Sequence, residues 1–132
     1  MKIRNFEIYE INAGLCLTLA HPKRLIMVDM LGRREMNVGE IAEVLAMRPA
    51  AVSQQLRVLR DRHLVASRKE GQTIYYRLAM PELTKACHII RTVLLGELRR
   101  RGLIAADISP DNLIEDVPPA GPVVRRSARK PR

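Results

Sequence analysis

Arg48, Ser53, Gln54, Gln55, Arg57 and Arg60 fall within one short stretch of the chain, and their types suit a nucleic acid. A glutamine amide can pair bidentately with the edge of adenine, and a serine hydroxyl donates or accepts at any base edge. Guanidinium groups bind phosphates and fix a helix on the backbone without reading sequence. Ser53, Gln54 and Gln55 are therefore candidates for base contact, Arg57 and Arg60 for backbone contact. Val52, Leu56 and Leu59 recur between them at helical spacing, so the polar set occupies the outward face of one amphipathic helix. Farther along, Arg68, Lys69 and Gln72 surround Gly71, where a tight turn would present them to phosphate or to a minor groove. Two cysteines, Cys16 and Cys87, form the second set with chemical potential.

The elements that must hold these groups can be read outward from the polar helix. A preceding helix over 38–46 carries Val38, Ile41, Ala42 and Leu45 at i, i+3, i+4 and i+7. Asn37 is its N-cap, and Glu40 completes a variant capping box. Met47 and Arg48 make the turn, and Pro49 takes the first helical position, leaving Arg48 as an N-cap without a side-chain acceptor. Either Arg48 stands there to meet a phosphate at the helix N-terminus, or it is a plain surface arginine. Strands over 64–68 and 73–78 follow, with a turn over 69–72. In the second strand Ile74, Tyr76 and Leu78 alternate with Thr73, Tyr75 and Arg77.

On the N-terminal side, a helix over 6–20 has Ile8, Ile11, Leu15 and Leu19 in one stripe. Cys16 lies beside it, on the face of Tyr9, Asn12 and Ala20. Pro22 opens the next helix, 23–31, with His21 as a cap or surface residue and Gly32 as its expected terminator. A last helix over 81–101 sets Leu83, Ala86, Cys87, Ile90, Val93 and Leu94 on one side. The fold class is mainly α with a β-hairpin wing, a winged helix-turn-helix. Residues 1–102 form the folded domain. Residues 103–132 form a basic C-terminal tail, expected to be disordered from 107 on because proline and charge replace periodicity.

The chain has 132 residues and a formal charge of +9, so a polyanionic partner is favoured and a single domain is expected. No apolar run reaches the roughly 18 residues of a membrane span, and acids come too early for a signal peptide. A cytoplasmic protein without membrane contact is expected. Two cysteines exclude a disulfide scaffold and, in a reducing compartment, are either core atoms or a sensor. Catalysis lacks a constellation. Cys87 and His88 are adjacent on a helix and point about 100° apart, and no Gly-rich phosphate loop or nucleophile elbow occurs. No cofactor is called for. A winged helix that binds protein instead of DNA would show an acidic or apolar face, whereas here Arg48, Arg57, Arg60 and Arg62 oppose Asp61 alone.

Taken in order, Ala20-His21-Pro22-Lys23-Arg24-Leu25, Val38-Gly39-Glu40-Ile41-Ala42, the run 52–60 and the run 68–78 resemble the ArsR/SmtB winged-helix repressors over about residues 8–98. The resemblance implies a homodimer with an α-helical interface from the first and last helices. It places 48–62 as the recognition helix in the major groove, with 68–73 as the wing tip. It further implies double-stranded DNA carrying an inverted-repeat operator, with repression relieved by an inducer. The cysteine-rich metal motif of the arsenic and cadmium branches is replaced by Asn37-Val38-Gly39, and the last helix offers Glu82, His88 and Glu97 but a single histidine. Neither metal site of the family is expected.

On the resemblance, Cys16 and Cys87 lie on the two interface helices. Oxidation or insertion of sulfur between them would shift the helices that set the spacing of the recognition helices. A soft metal or trivalent arsenic held by the same thiols with His88 or His21 is one alternative, and inert core cysteines are another.

Overall fold

The computed structural model describes residues 4–114, and the basic run at the end of the tail lies outside them. The helices are α1 (Phe6–Leu19), α2 (Pro22–Arg33), α3 (Val38–Leu45), α4 (Pro49–Asp61) and α5 (Glu82–Arg100). The strands are β1 (Met36–Asn37), β2 (Val65–Glu70) and β3 (Thr73–Leu78), joined antiparallel in the order β1-β3-β2.

Local chemistry fixes the helix-turn-helix. The Asn37 side chain accepts from Glu40 N at 2.9 Å, and the Glu40 carboxylate accepts from Asn37 N at 3.1 Å, which satisfies two donors that α3 cannot pair internally. Ala46 closes α3 in the left-handed region at φ 50°, with Met47 N donating back to Ala42 O. Pro49 then starts α4, with Arg48 as an N-cap whose side chain makes no capping bond.

Ile41 of α3 and Val52, Leu56 and Leu59 of α4 are fully buried against Met27, Val28 and Met30 of α2 and Met36 of β1. Met27, Met30 and Met36 are core filling, and Met47 packs against the same core from a half-buried position. The hairpin pairs Val65 with Leu78 at its base and Glu70 with Thr73 at its tip, and Gly71 turns at φ +61°.

Several expectations need correction. Gly32 does not end α2, which continues through Arg33 with Arg34 as an extended C-cap. A Cβ at Gly32 would lie 2.4 Å from Thr84 Oγ1 and 3.3 Å from Thr84 Cβ, so this glycine is there for close approach of α5. The wing strands run to Glu70 and leave a two-residue turn, because hairpin pairing continues through the polar residues the sequence analysis gave to the turn. The sheet has a third strand, β1, which pairs Met36 with Tyr76 and Asn37 with Tyr75. Ile74 is exposed, since its partner Lys69 lies out toward the wing tip.

Leu15 and Leu19 of the α1 stripe pack on the core, but much of the other apolar surface of α1 and α5 is uncovered in the single chain. Ile11 is 69% exposed and Val93 69%, with Ile8, Leu17, Ile89 and Ile90 similar. Only Cys87 and Leu95 of α5 are buried. The segment after α5 folds back on it: Arg99 donates to Ile108 O at 2.7 Å, Asp111 meets His88 Nε2 at 3.1 Å, and Ile114 packs against the core.

Candidate nucleic-acid interface and the two thiols

The apolar side of α4 is consumed by the core, which leaves Ser53, Gln54, Arg57 and Arg60 exposed on its outer side and Arg48 exposed at its start. Gln55 differs from its neighbours. It is half-buried, and its Oε1 accepts from Arg24 Nε at 2.7 Å. The same guanidinium donates to Thr18 O at 3.0 Å, so Arg24 ties the end of α1 to α4 across α2. This role of Arg24 has no signature in the sequence, because partners 31 positions apart leave no local signal.

The wing residues also divide. Lys69 and Gln72 are exposed at the tip. Arg68 donates from Nε to both oxygens of Glu35, at 2.8 and 3.1 Å, and from Nη1 to Glu70 at 2.8 Å. Its guanidinium also lies 4.7 Å from the Tyr75 ring centroid. The hydrogen bonds to Glu70 and Glu35 raise its pKa further above the ordinary arginine range. Arg68 thereby braces the wing against the segment before β1, and a phosphate would have to compete with two carboxylates for it.

Of the two thiols, Cys16 is exposed on α1, with Sγ 3.8 Å from Asn12 Oδ1, and Cys87 is buried on α5. Both are free. Burial pushes the Cys87 thiol above its ordinary pKa; Arg91 opposes this, while Asp29 and Cys16 reinforce it.

The histidines weighed as further metal ligands are committed elsewhere. His21 Nδ1 accepts from Lys23 N at 3.2 Å as the cap of α2, and His88 faces Asp111. Among the described residues no three His, Cys, Asp or Glu side chains are grouped to hold a metal, and no helix is long and apolar enough to cross a membrane.

Residues 21–67 match the model of the bacterial regulatory protein family arsR. The chain is similar to the nodulation protein NolR of Rhizobium meliloti, 36% identical over 122 residues that cover 92% of this chain and 86% of NolR. A biofilm growth-associated repressor of Agrobacterium fabrum is 46% identical over 67 residues, covering 51% of this chain and 57% of that protein. The fold is similar to the homodimeric winged helix-turn-helix DNA-binding domain of Mb0332 from Mycobacterium bovis. That match has a TM-score of 0.66 at 27% identity, covering 76% of this chain and 93% of that one.

Proposed function

Because the chain belongs to the arsR family of bacterial regulatory proteins, and is a DNA-binding transcriptional regulator and no enzyme, we propose that it is a homodimeric repressor of an inverted-repeat operator, released through Cys16 and Cys87. The observation that carries the DNA reading is the outer face of α4, where Ser53, Gln54, Arg57 and Arg60 stand exposed over a fully buried apolar side. Gln54 and Ser53 read base edges, and Arg48, Arg57 and Arg60 hold phosphates. Gln55, with its oxygen taken by Arg24, keeps its amide N–H groups for an acceptor. Lys69 and Gln72 reach the backbone beside the wing, with Arg68 stiffening that wing. Two recognition helices in a dimer sit about one DNA turn apart, which matches an inverted repeat.

The thiol reading rests on different facts: Cys16 is exposed, Cys87 is buried, and both lie on helices that carry uncovered apolar residues. Burial keeps Cys87 protonated, so the exposed thiol reacts first. A peroxide transfers one oxygen to Cys16, giving a sulfenic acid and releasing water. Cys87 then displaces that oxygen as a second water, and a disulfide forms. With a polysulfide, Cys16 instead attacks an inner sulfur and expels a shorter polysulfide, leaving a hydropolysulfide on its own sulfur. Cys87 then attacks the sulfur next to the end of that chain and expels hydrosulfide, leaving sulfur as a bridge between the two. Either product moves α1 against α5 and alters the spacing of the two α4 helices.

The test is fluorescence anisotropy on the upstream DNA of the protein's own gene, reduced and after peroxide or polysulfide, beside Cys16→Ser and Cys87→Ser. Release by oxidant that either serine variant abolishes supports the switch. Unchanged affinity in the wild type, with operator binding intact, removes the thiol reading and leaves the repressor standing.

A further inference from the structure

A pocket of about 440 Å³ opens between α2, α5 and the segment that follows α5, within the size range of small-molecule sites. Leu25 and Ile26 of α2, Ile90 and Leu94 of α5, and Leu113 and Ile114 of the following segment make its apolar walls. That segment is built into place: Asn112 accepts from Ser109 N at 2.8 Å and donates to Asp107 O at 2.7 Å, in addition to the contacts of Ile108 and Asp111 with α5. One chain therefore supplies every wall.

The polar side of the pocket is Asp29, Arg91 and the Cys87 thiol. Asp29 is shared by Arg33 and Arg91, each at 3.4 Å, so two guanidiniums face one carboxylate over long hydrogen bonds. Arg91 Nε is buried without a partner. A mostly buried cation in this situation calls for a further anion. Cys87, Ile90, Arg91 and Leu94 form an i, i+3, i+4, i+7 row on α5. Ile90 and Leu94 also belong to the exposed apolar surface of α5, so the mouth of the pocket borders the surface left for a second copy, while Cys87, Arg91 and Asp29 line its inner side.

We propose that this pocket binds a small apolar monocarboxylic acid, its hydrocarbon part against Leu25, Ile26, Ile90 and Leu94 and its carboxylate at Arg91. The assignment does not rest on the thiol switch or on DNA binding. Apolar walls of this volume give such a ligand its affinity, and the single uncompensated positive charge sets its preference for a carboxylate over an alcohol.

Calorimetric titration of the full-length protein with decanoate and with decanol tests it, together with Arg91→Gln and Leu25→Trp. Decanoate should bind about tenfold or more tightly than decanol to the wild type. Arg91→Gln should bring the two probes to similar affinity. Leu25→Trp, which fills the pocket from a partly exposed position, should abolish both while the melting temperature and oligomeric state stay unchanged. In a Cys16→Ser background, decanoate should slow alkylation of Cys87. The proposal is overturned if folded wild type takes up no decanoate to its solubility limit, or if decanol binds equally well. It also fails if Leu25→Trp stays folded and still binds, or if decanoate binds only by splitting the dimer, in which case a second copy is the occupant.

Discussion

On the proposed function, single side chains on α4 divide base reading from phosphate holding, and the division can be tested residue by residue. Arg57→Ala should weaken binding about equally on operator and on unrelated duplex, and reduce the salt slope by about one. Gln54→Ala should instead cost about 1–3 kcal/mol on the operator alone and relax the preference at one base pair; competition anisotropy on single-base variants distinguishes the two outcomes. Cys87 makes a prediction in pH. Its thiol pKa is raised in the folded protein, so the unfolded chain gives up that proton first. The associated stability is present below the ordinary thiol pKa and lost as pH rises through the higher folded value. Between about pH 7 and about pH 10 the wild-type urea midpoint should fall more than that of Cys87→Ala; parallel curves would show that the thiol is not held protonated. The types of these residues were legible in the sequence. Their allotment was not: Gln55 carries the same amide as Gln54, and Arg68 is a cation like its neighbour Lys69, yet Arg24 and Glu35, distant in sequence, bind them.

At the scale of elements, helix boundaries followed from local stereochemistry wherever a cap was involved. Asn37 with Glu40, and Pro22 and Pro49 at first helical positions, act within one turn of the chain, so short windows suffice. Gly32 misled because a glycine near a helix end resembles a terminator whether its value is a positive φ or a missing side chain. Here it is the missing side chain, with Thr84 of α5 occupying the space. Gly32→Ala improves helix propensity by about 1 kcal/mol but drives a methyl group into Thr84. The net expectation is destabilisation by about 1–2 kcal/mol in urea unfolding, partly recovered in a Gly32→Ala, Thr84→Ala double variant. A gain in stability would mean that α5 yields easily and that the close approach is not a constraint. The strand β1 escaped notice because two residues, Met36 and Asn37, show no alternation, and only pairing with Tyr76 and Tyr75 defines them.

For the whole molecule, the uncovered sides of α1 and α5 bear on the proposed homodimer. Ile11, Leu17, Ile89 and Val93 are each more than half exposed, apolar surface that a second copy would cover. Placing a carboxylate there, Val93→Asp, should yield a folded monomer by light scattering. Its operator affinity should fall on the order of a hundredfold or more, because one recognition helix no longer benefits from the attachment of the other. A dimer of unchanged stability would place the interface elsewhere. The segment after α5 also belongs to this scale: residues 103–114 close a pocket over α2 and α5 although their composition is that of a linker, because Ile114 reaches the core and Asn112 holds the turn.

The class of fold, the helix-turn-helix with its caps, the hairpin and the polar face of α4 were all legible in the order of residues, since periodicity and capping act between residues a few positions apart. Tertiary structure alone decided which members of that face are engaged and why Gly32 is glycine. It also decided that Cys16 is exposed while Cys87 is buried beside a partly compensated arginine. Those outcomes depend on contacts between elements far apart in the chain, and such contacts are set by how the helices pack, which no local pattern of residue types encodes.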